Sequence, residues 1–195
     1  MSIWNACMIN TELKKTAAIL LSGGIILYPT DTIWGIGCDG SSPESVQNIY
    51  RIKQRDDRKS MLVLVDGIPM LEQYIDNIPP QALELLKAPV KPTTIIYPGA
   101  RNLAENLIAY DGSIGIRVTS DPFCKQLIEI CGKPIVSTSA NISGDQAPGI
   151  FREIKAEIRN GVDYVVNWRQ DETAPSKPSA ILKLEADGTI ITLRP

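Results

Sequence analysis

Ile25-Ile26-Leu27-Tyr28-Pro29-Thr30-Asp31-Thr32-Ile33-Trp34-Gly35-Ile36-Gly37-Cys38-Asp39 is the stretch on which the reading of this chain turns. Ile25 to Tyr28 is a short apolar run of the kind that forms a buried strand. The chain leaves it through Pro29 into small hydroxyl residues and then glycines. Shortly after, Ser42-Pro43-Glu44 opens a helix, with the serine as N-cap and the proline at the first helical position. Val46, Ile49 and Tyr50 form the buried stripe of that helix. Lys53 continues the same i, i+3, i+4 spacing, which turns it inward.

The alternation of strand and helix continues outward from this stretch. Before it, Thr11 to Ser22 reads as a helix with Leu13, Ala17, Leu20 and Leu21 on one face, stopped by Gly23-Gly24. After it, the pattern predicts strands at Met61 to Val65, Thr93 to Tyr97, Ile114 to Val118, Ile135 to Thr138 and Tyr164 to Val166. Two more, Ala180 to Leu184 and Thr189 to Leu193, close the chain. Helices are expected from Pro79-Pro80 (carrying Leu83, Leu85 and Leu86), from Asp121-Pro122 to Gly132, and from Phe151 to Arg159. Such alternation means an α/β fold with helices packed on a sheet. Asp187-Gly188 between the last two strands reads as a hairpin, so the sheet is mixed rather than purely parallel. Arg169 to Pro178 is polar, holds two prolines, and reads as a loop.

A second segment repeats the build of the first: Pro134-Ile135-Val136-Ser137-Thr138-Ser139-Ala140-Asn141-Ile142-Ser143-Gly144. A strand again runs into hydroxyls, an amide and glycine. Hydroxyls and free backbone N–H groups at a strand exit suit phosphate-bearing ligands. The pairing points to one site assembled from two halves of a single domain spanning 1–195.

Composition narrows the chemistry. At 195 residues and 44% hydrophobic, the chain can bury a sizeable core. A net charge of −2 argues against a wholesale nucleic-acid binder but permits a local basic patch. No run approaches the roughly 18 apolar residues of a membrane span. The N-terminus lacks a basic segment ahead of an apolar one, so no signal peptide is expected. Cys7, Cys38, Cys124 and Cys131 are scattered with no CxxC pair and read as reduced thiols of a cytoplasmic protein. The chain has 0 histidines. That removes Ser-His-Asp and Cys-His catalysis, His-ligated zinc and imidazole proton shuttling. What remains is positioning and electrostatic catalysis, as in phosphoryl or nucleotidyl transfer.

Each motif has a plainer reading beside it. Gly35-Ile36-Gly37-Cys38-Asp39-Gly40 matches G-x-G-x-x-G, with Asp56-Asp57 at a plausible distance. The dinucleotide fingerprint, however, needs its third glycine inside a helix's first turn, and here Ser41-Ser42-Pro43 intervenes. Glycines at a tight turn with close backbone packing are the better reading. Arg51, Lys53, Arg55, Arg58 and Lys59 are either a solvated helix end complementing the helix dipole or, with Lys53 inward and Arg55 beside it, a polyphosphate clamp. Ser137 to Asn141 alone would be an ordinary turn. Arg117 lies in an apolar strand and needs a partner, either a structural carboxylate or a bound anion. Asp31 fits a magnesium ligand and a turn or cap residue equally well.

Taken together the segments resemble the YrdC-like family, whose active members are threonylcarbamoyl-AMP synthases. The resemblance rests on Tyr28-Pro29-Thr30-Asp31-Thr32 with Gly35 and Gly37, Lys53-x-Arg55, Gly115-x-Arg117, Ser139-x-Asn141 with Ser143-Gly144, Pro178-Ser179 and Leu193-Arg194-Pro195. It covers nearly the whole chain and looks like the single-domain form. It implies an α/β fold, with a twisted mixed sheet and flanking helices around a concave basic cavity. The implied reaction converts L-threonine, bicarbonate and ATP, with Mg2+, to threonylcarbamoyl-AMP and pyrophosphate. The product would pass to threonylcarbamoyl-transfer proteins that modify tRNA. By the same resemblance Lys53, Arg55, Ser139 and Asn141 are the catalytic set. Arg55, Lys59, Ser113, Ser139 and Arg194 would face ATP, and Thr32, Arg117, Ser137 and Ser179 would face threonine. Trp34, Thr119 and Ala180 depart from the family pattern and bear on the threonine pocket. Two other readings stand beside the synthase. One is an RNA-binding module of the same fold; the other is a paralogue acting on carbamoyl or threonylcarbamoyl groups.

Overall fold

In the computed structural model, the backbone of residues 3–56, 61–87, 91–185 and 187–195 is described, and within those ranges the side chains from 8 onward. The chain builds helix α1 (Ile3–Leu21), strands β1 (Ile26–Tyr28) and β2 (Gly35–Gly37), helix α2 (Pro43–Lys53) and strand β3 (Leu62–Val65). Helices α3 (Ile68–Tyr74) and α4 (Pro80–Lys87) precede β4 (Thr93–Tyr97) and β5 (Ile114–Val118). Helix α5 (Pro122–Cys131), β6 (Ile135–Ser139), α6 (Ala156–Gly161), β7 (Tyr164–Val165), β8 (Ala180–Leu184) and β9 (Ile190–Arg194) complete it.

The strands form one nine-stranded sheet in the order β7-β1-β2-β6-β3-β5-β4-β8-β9. It is mixed, as the hairpin implies. β1–β7, β3–β5 and β4–β8 pair in parallel, whereas β1–β2, β2–β6, β3–β6, β4–β5 and β8–β9 are antiparallel. The two-residue period of the strands divides the core between the sheet's two faces. Leu27, Val63, Val65 and Val136 enter a cluster with Val46, Ile49 and Tyr50 of α2. Their neighbours Ile26, Tyr28, Leu64 and Ile135 enter the other, with Leu13, Ala17 and Leu20 of α1 and Phe123, Leu127 and Ile128 of α5.

Capping follows the sequence closely. Ser42 accepts from the Ser45 N–H ahead of Pro43, and Asp121 accepts from the Cys124 N–H ahead of Pro122. Gly132 ends α5 at φ 65°, in the left-handed region. Asp187 accepts from the Thr189 N–H in the β8–β9 hairpin. Three expectations need correction. Helix α1 starts at Ile3, so Thr11 is an interior residue rather than a start, and Leu21 is 60% exposed rather than part of the buried face. Gly35 to Gly37 is a strand, not a turn. Phe151 to Arg159 is broken into a 3-10 turn at Phe151–Glu153 and the short α6. Helix α4 carries Leu83, Leu85 and Leu86 as read, with Ala82 buried and Leu85 exposed. Helix α3, with Pro69 in its first turn, has no counterpart in the sequence reading. Cys38, Cys124 and Cys131 are free thiols.

Candidate active site

The first wall of the site is the loop between β1 and β2, and Thr30 sets its shape. The Thr30 hydroxyl accepts from the Thr32 N–H at 3.0 Å, donates to the Ile33 carbonyl at 2.8 Å, and lies 3.0 Å from the Thr32 hydroxyl. The loop then passes Thr32 and Trp34 along a cavity before Gly35 begins β2. Gly35 has no room to spare: a Cβ there would lie 3.1 Å from the Ser137 hydroxyl.

The second wall comes from the end of α2. Gln54 adopts the left-handed conformation at φ 48° and closes the helix with bonds to the Arg51 and Tyr50 carbonyls. The reversal sends Arg55 to the cavity and leaves Lys53 beneath it. Burial lowers the pKa of Arg55 below the ordinary guanidinium value. Lys53 is 1% exposed, and its ammonium donates to the carbonyls of Ser139 and Asn141, the latter at 2.7 Å. Its own carbonyl accepts from the Ser143 N–H at 2.8 Å. The structure thus confirms the inward turn of Lys53, but places its charge on the backbone of the second half-site rather than on the cavity wall.

That second half-site is the end of β6. Ser137, Thr138 and Ser139 line the cavity. Asn141 does not. Its amide N–H groups donate to the carbonyls of Ile142 and Asp145, both at 2.9 Å, and its Oδ1 is buried without a hydrogen-bond partner among the described residues. Asn141 therefore holds the turn that follows β6, as the plainer reading of this segment had it, and still carries one unspent acceptor.

Strand β5 supplies the deepest charge. Gly115 and Arg117 share one face through the two-residue period, and Arg117 is 3% exposed. Its Nη2 lies 3.1 Å from Asp31 Oδ1, and Asp31 Oδ2 accepts from the Ser120 N–H at 3.3 Å. Asp31 is therefore the structural carboxylate that a buried arginine requires. The contact is one of charge: Arg117 Nε and Nη2 and Asp31 Oδ1 have no hydrogen-bond partner among the described residues. A buried guanidinium with an unspent donor at a cavity wall is suited to a bound anion.

The far end closes with the last two strands. Arg194 Nε donates to the Ser179 carbonyl at 2.8 Å, and the Ser179 hydroxyl lies 2.9 Å from that of Thr94. Burial, and then the Arg117 charge, hold Arg194 below its ordinary pKa. Ser113 also lines the cavity, with its hydroxyl donating to Asp111 at 2.6 Å. The whole encloses about 310 Å3. Thr32, Arg55, Ser113, Arg117, Ser137, Ser139, Ser179 and Arg194 are thus brought together, as the two-halves reading requires. Lys53 and Asn141 lie behind the wall, and Lys59, with Arg58 and Asp57, lies outside the described residues. The sequence reading missed the apolar floor of Met61, Leu62 and Ile96. It also missed the ion pair that binds Asp31 to Arg117.

Three arginines and no carboxylate stand among the residues described as lining this cavity. Such a site holds anions and stabilises negative charge that develops on them. Among the described residues no three His, Cys, Asp or Glu side chains are grouped to hold a metal ion. Asp31 sits beside Arg117 and accepts from the Ser120 N–H. No described helix is long and apolar enough to cross a membrane.

The model of the Sua5/YciO/YrdC family, described as telomere recombination, matches residues 18–195. The chain belongs to the Sua5/YciO/YrdC family. Among curated relatives it is 33% identical, over 160 residues, to the protein of Pseudoalteromonas translucida named threonylcarbamoyl-AMP synthase, covering 80% of this chain and 86% of that one. Among solved structures it matches E. coli YciO at 27% identity with a TM-score of 0.80, over 93% of this chain and 87% of the other. P. abyssi Sua5 complexed with L-threonine shares the fold at a TM-score of 0.81 and 20% identity. The match covers 94% of this chain and 53% of the P. abyssi chain, so this member of the family spans about half the length of that Sua5.

Proposed function

We propose that this chain is a threonylcarbamoyl-AMP synthase, which joins L-threonine, bicarbonate and ATP into threonylcarbamoyl-AMP with release of pyrophosphate and water. One observation carries the reading. Hydroxyls from both half-sites and three arginines line one cavity with no carboxylate among its described lining residues, in a chain 33% identical to a protein of that name. The chemistry suits such a lining. The threonine amine adds to the carbon of CO2 drawn from bicarbonate, giving a carbamate and a released proton. A carbamate oxygen then attacks the α-phosphorus of ATP, and the bond to pyrophosphate breaks. Neither step needs histidine, and both gather negative charge that arginines and hydroxyl donors stabilise.

The residues divide by position. Thr32, Arg117, Ser137 and Ser179 would receive threonine, with the unspent donors of Arg117 available to its carboxylate. Arg55, Ser113, Ser139 and Arg194 would face the nucleotide. Mg2+ would enter as part of the ATP complex, bound to its phosphates. The product is an activated threonylcarbamoyl group, of the kind consumed in threonylcarbamoyladenosine formation on tRNA. A role there would place the protein in the cytoplasm, with tRNA and the transfer proteins as downstream partners. The test is to incubate the purified chain with ATP, Mg2+ and bicarbonate, with and without threonine. Pyrophosphate and threonylcarbamoyl-AMP should form only when threonine and bicarbonate are both present. ADP and inorganic phosphate as products, or turnover indifferent to threonine, would sink the reading.

A further inference from the structure

Arg169 lies outside the cavity, and neither its sequence context nor any motif marks it. It is one of three described non-glycine residues with positive φ, at 61°. Its guanidinium ties three segments together. Nη1 donates to the Thr30 carbonyl at 3.2 Å and to Asp121 Oδ2 at 2.9 Å, and Nε donates to Glu172 Oε1 at 2.7 Å. Asp121 is otherwise occupied as the N-cap of α5, through its other oxygen. The Thr30 carbonyl belongs to the residue whose hydroxyl shapes the loop that carries Thr32. From Arg169 the chain runs back along that loop, enclosing a small space beside Thr32 and Trp34, and delivers Ser179 to the cavity.

We propose that Arg169 is a positioning residue, a clasp that fixes the Thr32 wall of the cavity relative to α5 and so sets affinity and selectivity at the amino-acid end of the site. The proposal rests on the synthase reading for the identity of that amino acid. The clasp itself rests on the three contacts. A planar guanidinium suits the task because it presents several donors in fixed directions, which a lysine ammonium does not. Shifts of about 1 Å in positioning groups cost up to roughly a hundredfold in rate, so a loosened wall should be visible in kinetics. The nucleotide end is tied elsewhere, Ser113 to Asp111 and Arg194 to Ser179, and neither residue bonds Arg169. Affinity there should change little.

Arg169→Gly removes the clasp while keeping a residue at ease with positive φ, and Arg169→Lys keeps the charge without the fork. In the full chain, pyrophosphate release measured against threonine and ATP separately should show KM for threonine raised about tenfold in the glycine variant. KM for ATP should stay within about twofold. Discrimination of threonine over serine should fall, and the lysine variant should recover only part of the loss. Equal changes in both KM values, or a lower active fraction with both unchanged, would mean a merely structural contact and overturn the proposal. Hydrogen–deuterium exchange at residues 30–34 gives a readout independent of turnover. Faster exchange there in Arg169→Gly than in the wild type supports the clasp, and unchanged exchange overturns it. A wild-type protein that releases no pyrophosphate would defeat the synthase reading alone, because the exchange experiment still judges the clasp.

Discussion

Lys53 is the residue whose charge is hardest to place in water's absence. It is 1% exposed, and its ammonium rests on two backbone carbonyls across 86 and 88 residues of chain. Burial first, and the nearby Arg55 charge second, lower its pKa from 10.5 to about 7. A lysine acidified only in the folded state binds fewer protons there than in the unfolded chain. Between about 7 and 10.5 the unfolded state therefore holds the extra proton, and folding stability gains as pH rises through that window. Below it, the penalty of burying the charge is fully present. Urea midpoints of the wild type and Lys53→Met, compared at several pH values from 6 to 9.5, should show the wild type gaining on the variant as pH increases. A difference that stays level, or shrinks, would mean that the two carbonyls hold the proton as firmly as water does. The same residue shows how an inward lysine on a helix stripe can be read from spacing, while its partner cannot. The carbonyls it meets lie in the other half of the chain, and nothing in the local sequence marks them.

At the scale of elements, β2 shows both the reach and the limit of pattern. Its three residues include two glycines, and glycine is a poor strand former, so the stretch reads as a turn. The structure makes it a strand because its neighbours come too close for side chains. A Cβ on Gly37 would lie 2.6 Å from the Val136 carbonyl oxygen and 2.7 Å from Tyr28 Cε1. Tyr28 is itself fixed by its hydroxyl's bond to that same carbonyl at 3.1 Å. Gly37→Ala must therefore push β1, β2 and β6 apart, at a cost of about 1–3 kcal/mol of the kind seen in overpacked cores. Chemical denaturation would measure it, and a loss below roughly 0.5 kcal/mol would show that the three strands separate easily. Close packing of these glycines was legible; the pairing that demands it was not. Elements with strong local punctuation fared better. Asp121-Pro122 and Gly132 bound α5 as read, and Asp187-Gly188 turns the last hairpin. Thr11-Glu12, by contrast, imitates a helix start, yet it lies inside α1, with the Glu12 carbonyl accepting from the Thr16 hydroxyl in the helix interior.

Across the whole molecule, the cavity gathers residues from strands spread through the sheet. Gly35 comes from β2, Ser139 from β6, Leu62 from β3, Arg117 from β5, Thr94 from β4, Ile181 from β8 and Arg194 from β9. Both half-sites were visible as motifs because each follows a strand exit. Their convergence follows from β2 and β6 being neighbours, with Gly35 paired to Ser139. A ligand filling such a site bridges most of the sheet, so its binding free energy should stabilise the fold as one unit rather than one end of it. At a hundredfold excess over its dissociation constant, a ligand that binds only the folded state adds about 2.7 kcal/mol. For a chain of this size each kcal/mol moves the melting temperature by roughly 2–4 °C, so a single transition should rise by about 5–10 °C. On the proposed assignment Arg117 receives the threonine carboxylate and Arg194 the nucleotide, so ATP with Mg2+ should produce that rise and threonine should add to it. Whatever factor one ligand applies to the affinity of the other must be the same in both directions. An RNA-binding module would behave otherwise: RNA would raise the transition, the rise would fall steeply with salt, and threonine would leave it unmoved. Melting curves with each ligand alone and with both, repeated at low and high salt, separate these outcomes. A split transition, in which only part of the fold responds to ATP, would contradict the single bridging site.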